Sequence, residues 1–359
     1  MSMKKTEHIG FADLMTQRRK IKSQFFNQMD LLLDWRPISN IINKHYIKGE
    51  SAVGAPSYPG LMLFKMALLQ TWYGLSDYEV EDRLNDSISF SRFVGLSIDD
   101  PSPDHSVLSR FRTELTKKNV YEKLFKEFNK QLIKHNIIIK SGAIVDASVV
   151  ESPLKPKGKP SYEVVQDRED EDMQTDQENQ QKEEKSIEVI KKTQPGVDTE
   201  ASWIKKSGKL KYGYKKHVVS DNEGMVLGVV TTTAKVNEIS NLEEVLKDVE
   251  LPKNIPFYAD KGYASKKNRD LMKSKNLKDR ILKRAVKGKP LSDREKLFNK
   301  IIGKTRYKIE RVFGSIKRWF NGGQARYKGM MKMHTQNLME AIAYNLYRSP
   351  GIIMSNREK

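Results

Sequence analysis

Three acidic residues in this chain have the type and local setting that metal-dependent phosphodiester chemistry requires. Asp146 and Asp260 each close a short apolar run, and Glu310 lies in a basic stretch whose apolar residues recur at helical spacing. We expect both runs to be strands, with the aspartates at strand ends and the glutamate on a helix. Carboxylate oxygens are the preferred ligands of hard divalent cations. A pair of such cations can stabilise the attacking and leaving oxygens of a displacement at phosphorus.

The same residues also have ordinary structural explanations. An aspartate at a strand end is commonly a cap or a turn residue. Arg306, Glu310 and Lys317 follow one helical stripe, which is also the pattern of a solvated, ion-paired helix face. Asp146 and Asp260 are 114 positions apart. Spacing alone therefore does not establish that they meet, and both interpretations stay open.

The charge of the chain indicates a polyanionic partner. Its 359 residues carry a formal net charge of +19 at pH 7, and such an excess of lysine and arginine is typical of nucleic-acid-binding proteins. The distribution is uneven. Residues 161–190 contain eleven acidic and three basic residues, whereas residues 281–333 contain three acidic and sixteen basic ones. We therefore expect the nucleic-acid surface in the C-terminal part of the chain.

Composition also excludes several classes of protein. The chain has no cysteine, which rules out disulfides and thiolate zinc sites and fits a reducing cytoplasm. No apolar run approaches the roughly 20 residues that a membrane helix needs. The first lysines are not followed by the apolar segment of a secretory signal. We expect a cytoplasmic protein with no membrane partner.

Residues 10–135 predict a helical N-terminal domain, because their apolar residues recur at steps of three and four. Ser76 and Glu79 have the spacing of a capping box at a helix start. Asp104 is a suitable N-cap for a later helix. The pattern thus predicts several short, well-delimited helices.

The helix that follows Asp104 is a candidate for DNA recognition. It carries Arg110 and Arg112, whose side chains are of the type that contacts phosphate. We consider residues 104–117 as the recognition helix, and a purely structural helix is the alternative.

From residue 141 onward the pattern becomes a mixture of strands and helices. The turn Asp221–Gly224 lies between two β-rich runs and predicts a hairpin. Further strands and helices follow, including a helix over residues 241–251, and a long helix is expected from about residue 292 to 320. Three consecutive strands that can pair antiparallel, followed by strands with helical crossovers, form a mixed α/β plan. The ribonuclease H-like fold is one architecture with this order.

We therefore predict an α/β catalytic domain over residues 141–348. Residues of about 153–198 interrupt it, first with proline and lysine and then with a polar, acidic tract. Such composition buries little apolar surface, so we predict a flexible insertion.

Six segments in this order resemble one known family. They span residues 74–96, 103–112, 145–148, 212–217, 258–263 and 306–317. The chain resembles the DDE transposases of bacterial insertion sequences, in particular the group named for insertion sequence five. The resemblance covers nearly everything from residue 10 to 348. One departure is Gly303, where the related pattern has a tyrosine three places before the arginine, and DNA could approach the backbone closely there.

The resemblance implies a ribonuclease H-like catalytic domain in which Asp146, Asp260 and Glu310 are the catalytic and metal-binding residues. They would hold two Mg²⁺ ions, with Mn²⁺ as a substitute, for cleavage of the ends of the element and strand transfer into target DNA. Arg306 and Lys317 would contact DNA phosphate near the cut.

The implied partners are double-stranded DNA, both element ends and target, and further copies of the chain in a synaptic complex. The expected location is the bacterial cytoplasm, in association with the nucleoid. Two alternatives stay open. One is a catalytically idle, transposase-derived regulator that only binds DNA, and the other is a metal-dependent nuclease of the same fold.

Overall fold

Helices form the first part of the protein. The structure is a computed structural model, and it describes residues 23–46, 57–97, 100–158, 162–165, 188–191, 194–286, 288 and 290–357. The start of the predicted helical domain, residues 10–22, lies outside the described residues. The N-terminal helices are α1 (Ser23–Leu32), α2 (Trp35–His45), α3 (Gly60–Tyr73), α4 (Asp77–Asp86), α5 (Ile88–Val94), α6 (His105–Lys117) and α7 (Val120–Lys134).

The predicted helix starts are confirmed. Ser76 and Glu79 form a reciprocal capping box at α4, in which each side chain accepts a hydrogen bond from the backbone N–H of the other residue. Asp104 caps α6 by accepting a hydrogen bond from the Ser106 N–H at 2.6 Å. These caps satisfy N–H groups that a helix start otherwise leaves unpaired.

A six-stranded mixed sheet forms the second part of the described chain. Its strands are β1 (Ala143–Glu151), β4 (Ser202–Lys206), β5 (Lys209–Asp221), β6 (Val226–Thr233), β7 (Pro256–Ala259) and β8 (Lys278–Ile281). The order is β4-β5-β1-β7-β8, and β6 pairs with β5. The pairs β1–β5 and β5–β6 are antiparallel, whereas β1–β7 and β7–β8 are parallel. This arrangement is the ribonuclease H-like α/β plan that the element order predicts.

Two local predictions need correction. Asp146 does not end its strand, because all nine residues of β1 pair with β5. Ala147 to Val150 continue β1 as buried residues, so the partly exposed Asp146 interrupts the burial pattern without ending the strand. The helix expected over 241–251 is shorter: a 3₁₀ turn, Glu238–Asn241, leads into the one-turn helix α8 (Leu242–Val245).

The predicted insertion falls mostly outside the described residues. Within it, β2 (Tyr162–Val165) and β3 (Glu188–Lys191) form a separate antiparallel pair. Its predicted end, Asp198, is a packed residue with only 1% of its surface exposed. The Asp198 carboxylate accepts a hydrogen bond from the hydroxyl of Tyr214 at 2.6 Å. The folded domain therefore resumes at Asp198.

Two long helices complete the domain after the short helix α9 (Lys266–Ser274). Helix α10 (Asp293–Phe320) begins at a second capping box, Ser292 with Glu295, and confirms the predicted long helix. Helix α11 (Met330–Arg357) packs against β6 on one side and the N-terminal helices on the other.

One continuous apolar core links the helices and the sheet. The indole N–H of Trp72 donates to the Ala343 carbonyl at 2.9 Å, which ties α3 to α11. The Asn345 amide donates to Asn129 at 2.9 Å and to the Val226 carbonyl at 2.8 Å, which joins α7, α11 and β6. The helical region is thus packed on the sheet, and the boundary between two domains stays a prediction. In the described residues, no helix combines the length and apolarity that crossing a bilayer requires.

Candidate active site

The two predicted aspartates lie on neighbouring parallel strands. Strands β1 and β7 pair in parallel, and the last paired residues are Val145 and Ala259. Asp146 and Asp260 each follow this last pair in the chain, so they occupy neighbouring positions where the pairing of β1 with β7 ends. The sheet opens here, because β7 ends while β1 continues. Ligand sites commonly form at the carboxyl ends of parallel strands.

Glu310 reaches the same place from helix α10. The guanidinium of Arg306 donates to Asp146 Oδ2 at 2.7 Å and to Glu310 Oε1 at 2.6 Å. The buried residues Ile309 and Phe313 pack α10 onto the core on either side of Glu310. Arg306 therefore links the first and third predicted acids, since residues four apart share one helix face.

Burial perturbs the acidity of Asp146. It raises the pKa of Asp146 to about 6, against the opposing effects of the Ala147 N–H and of Arg306. The nearby carboxylates of Asp260 and Glu238 raise this pKa further. A buried carboxylate with acidic neighbours is stabilised by added positive charge. The site therefore favours a cation, and Arg306 provides one.

The donor set fits hard divalent cations. It consists of carboxylate oxygens on rigid elements, and Asp260 Oδ1 is oriented by the Lys261 N–H at 2.7 Å. The three acids are not gathered as tightly as ligands around one ion. Within the described ranges, only the Glu81, Asp104 and His105 group brings three such atoms within 4.8 Å of one another.

Comparison with known proteins decides the family. A model for the transposase DDE domain matches residues 139–346, which is more than half of the chain. A second model, for a transposase domain (DUF772), matches residues 14–114. This chain is a member of the DDE transposase family. It is thus an enzyme of DNA transposition, from a family that depends on divalent metal ions.

A curated relative supports the same assignment. The transposase for insertion sequence element IS1106 of Neisseria meningitidis serogroup B is 32% identical over 242 residues, which cover 67% of this chain and 76% of that protein. The chain is therefore related to the transposases of bacterial insertion sequences. Membership of the narrower insertion-sequence-five group stays a prediction.

Two solved transposases show only a distant likeness. One is a piggyBac transposase synaptic complex with hairpin DNA, at 11% identity and a TM-score of 0.43, covering 96% of this chain and 78% of that one. The other is the Mos1 strand transfer complex, at 12% identity and a TM-score of 0.18, covering 94% and 98%. Both scores are too low to establish a common fold. The fold of this transposase is established by its strand order and by the family model.

The structure adds two residues that the sequence did not single out. Tyr263 is fully buried, and its hydroxyl has no partner among the described residues. Burial raises the pKa of Tyr263 well above its usual value, as do the adjacent charges of Asp146, Glu238 and Asp260. Glu238 is thus a fourth carboxylate at the site. Its only signal in the sequence is Asn237, a cap residue just after a strand.

Glu238 packs against the turn that contains Asp260. A Cβ added to Gly262 would lie 2.9 Å from Glu238 Oε2, so the Glu238 side chain packs closely against Gly262. Lys215 lies 3.5 Å from the other oxygen of Glu238. The turn that contains Asp260 is therefore packed against a charged pair, formed by Lys215 of β5 and Glu238 of the 3₁₀ turn after β6.

The predicted DNA-binding arginines of α6 have different surroundings. Arg112 is 9% exposed and donates two hydrogen bonds to Asp77, at 3.0 and 2.7 Å, and one to Gln70. Its guanidinium also lies over the ring of Tyr327. Because those donors are used inside the protein, this placement does not favour a DNA contact by Arg112. Arg110 is exposed, and its phosphate contact stays a prediction.

The other predicted residues lie on α10. Lys317 is two turns beyond Glu310 and exposed. Gly303 has no described atom within 4 Å of the position that a Cβ would take. The DNA contact of Lys317 and the close approach of DNA at Gly303 both stay predictions.

His217 lies on the other face of the sheet from Asp146. It pairs with Ala147 across β1 and β5, and successive side chains of a strand point to opposite faces. Its Nε2 is 3.1 Å from Thr232 Oγ1, and the ring is fully buried. His217 is thus packed in the protein interior, on the face of the sheet opposite Asp146.

The burial of His217 predicts acid sensitivity. Burial, together with the charge of Lys215, lowers the pKa of His217 to about 3. The pKa of a histidine in an unfolded chain is about 6.5. As pH falls below that value, the unfolded chain binds a proton that the folded chain does not. Wild type should therefore lose stability relative to His217→Gln between about pH 6.5 and 4, by up to about 1.4 kcal/mol per unit.

Chemical denaturation across this pH range measures the difference. His135→Gln removes an exposed imidazole and should leave the pH dependence of wild type unchanged. A His217→Gln curve parallel to that of wild type would show that His217 is not buried in its neutral form.

Proposed function

We propose that this transposase cuts DNA at the ends of its insertion sequence and joins the freed ends to target DNA. Asp146, Asp260 and Glu310 are the proposed metal-binding catalytic residues. The observation that carries the proposal is their convergence: the two aspartates follow directly on paired parallel strands, and Arg306 connects Asp146 with Glu310. Neighbouring elements thus bring together acids that lie far apart in the chain.

The proposed cofactor is a pair of Mg²⁺ ions, for which Mn²⁺ can substitute. Bound by these carboxylates, the ions would activate water or a 3′-hydroxyl and neutralise charge that develops on phosphate oxygens. Asp146, whose side chain is 17% exposed, supplies a ligand on a strand that is paired along its whole length. The Lys261 N–H fixes one oxygen of Asp260. A cation bound between Asp146 and Glu310 would compete with the guanidinium of Arg306.

Arg306 and Lys317 are the proposed phosphate contacts. The positive charge of Arg306 lies beside the carboxylates of Asp146 and Glu310, so it can neutralise them when no metal ion is bound. When a metal ion takes its place there, the guanidinium can bind a phosphate. An arginine suits such a role because its planar fork matches both carboxylate and phosphate.

The proposed partners are duplex DNA and further copies of the chain. As a member of the DDE transposase family, this transposase is proposed to form a homo-oligomeric synapse. Its net charge of +19 supports binding to a polyanion. The proposed site of action is the bacterial nucleoid in the cytoplasm.

Incubation with short duplexes that carry the element's own ends tests the function. With Mg²⁺, product sizing should show cleavage at the end, and a pre-cut end should be joined to a second duplex. Cleavage without joining would identify a nuclease of the same fold. Binding without either reaction, in Mg²⁺ and in Mn²⁺, would identify a DNA-binding regulator.

A further inference from the structure

The hairpin formed by β4 and β5 is a basic edge of the sheet. Residues 201–220 contain six lysines and no acidic residue. Strand β4 is the last strand at its side of the sheet and pairs only with β5. An edge strand with several lysines resists pairing with other strands, but the number and placement of these lysines go beyond that need.

The tip of the hairpin has a defined geometry. Ser207 and Gly208 have φ values of +52° and +76°, as a two-residue type I′ turn requires. The turn fixes the pairing of Lys206 with Lys209. Residues that oppose each other directly share a face of the ribbon, so Lys206, Lys209 and Lys211 lie on one face.

The hairpin lies beside the end of helix α10. Lys211 pairs with Glu151 at 2.5 Å. Glu151 is in turn hydrogen-bonded to the loop after α10, through the Gly323 carbonyl at 2.9 Å and the Ala325 N–H at 2.8 Å. Lys317 packs beside the same loop, because a Cβ added to Gly323 would lie 3.4 Å from Lys317 Cγ.

Lys317 interacts electrostatically with the lysines of the hairpin. Partial burial lowers the pKa of Lys317, and the charges of Lys206, Lys216 and Lys211 lower it further, whereas Glu151 opposes them. Positive groups held this close repel one another, so a bound anion would relieve the repulsion. The cluster formed by Lys206, Lys209, Lys211 and Lys317 therefore attracts phosphate more strongly than the same lysines spread over the surface.

The distance between this cluster and the candidate active site matches a few nucleotides of DNA. Lys317 follows Glu310 by seven residues, a rise of about 10 Å along a helix. That distance corresponds to about three nucleotides of one DNA strand. A duplex that enters the active site could thus continue past Lys317 to the hairpin.

We propose that Lys206, Lys209 and Lys211, together with Lys317, bind the sugar–phosphate backbone of duplex DNA beside the cut. This inference rests on the proposed function, and it adds the β4–β5 hairpin as the surface that holds the flanking DNA. The other face of the ribbon carries the exposed side chains of Trp203 and Leu210. It therefore lacks the charge density of the lysine face.

Salt dependence of binding tests the proposal. The measurement is the fluorescence anisotropy of a labelled mixed-sequence duplex at several salt concentrations, because phosphate contacts do not depend on sequence. Each lost phosphate contact should reduce the slope of log K against log salt by about 0.9. We expect that loss for Lys206→Gln and for Lys209→Gln, and about twice that loss for the double variant.

Two control variants match the change of charge. Lys205→Gln alters the adjacent position on the other ribbon face. Lys253→Gln removes a lysine just before β7, at the opposite end of that strand from Asp260. Both should keep the wild-type slope, and thermal melting should show that all the variants are folded.

The outcomes separate this inference from the proposed function. If wild type cleaves element ends and Lys206→Gln/Lys209→Gln keeps the wild-type slope, the hairpin proposal is wrong and the function stands. A slope reduced equally in Lys205→Gln would refute the assigned face. A slope that is reduced in the double variant but not in Lys205→Gln or Lys253→Gln supports the hairpin proposal, even if wild type fails to cleave.

Discussion

Asp260→Ala should lose DNA cleavage and strand transfer while it retains DNA binding. The substitution removes one of two adjoining carboxylates at the point where β7 ends. Metal ions contribute several kcal/mol of charge stabilisation in such reactions. Each loss of about 1.4 kcal/mol slows a reaction tenfold. We therefore expect a fall in rate of at least about a thousandfold, measured by product sizing with Mg²⁺.

The control for this variant is Asp270→Ala, which removes a half-exposed acid from α9. It should cleave and join DNA like wild type. Asp146→Ala and Glu310→Ala should match Asp260→Ala, because all three are expected to serve the same ions. Strand transfer by Asp260→Ala in Mg²⁺ at the wild-type rate would refute the catalytic assignment.

Glu340→Gln should strongly destabilise the protein. Glu340 on α11 forms an ion pair with Lys216 on β5, and only 3% and 2% of these side chains are exposed. Gln336 donates to the same carboxylate at 2.8 Å. Removal of one charge leaves Lys216 buried without its partner, which typically costs about 3–5 kcal/mol. A cost of this size should lower the melting temperature of a chain of 359 residues by about 4–7 °C.

The matched variant removes both charges. Lys216→Met/Glu340→Met leaves no uncompensated charge in the interior, and replacing a buried pair by apolar residues is often close to neutral. Its melting temperature should therefore lie nearer to that of wild type than to that of Glu340→Gln. A Glu340→Gln protein as stable as wild type would show that the ion pair with Lys216 is not needed for stability.

Local features of the fold could be predicted because they depend on a few neighbouring residues. A serine with a glutamate three positions later predicts a capped helix start, and Ser76 and Ser292 both form one. The turn Asp221–Gly224 joins β5 and β6 as its composition indicates. The extent of β1 was underestimated, since polar Asp146 looks like a strand end until the pairing with β5 is known.

The candidate site was only partly accessible to prediction. Asp146, Asp260 and Glu310 could be singled out by their settings and by family resemblance. Glu238 could not, because a lone acid after a strand has no distinctive pattern. The two arginines of α6 were equivalent candidates for DNA contact in the sequence. Packing distinguishes them, since Arg112 alone is held inside by Asp77.

The sequence by itself determined the types of the acidic residues, the caps and turns, the basic C-terminal region and much of the order of strands and helices, although not the edge strand β4. The reason is that backbone preferences and charge act over a few positions of the chain. Only the tertiary structure decided which charges meet: Arg306 with Asp146 across 160 positions, and Lys216 with Glu340 across 124. Such pairs form because folding buries distant polar groups together, and a buried charge requires a partner wherever the fold provides one.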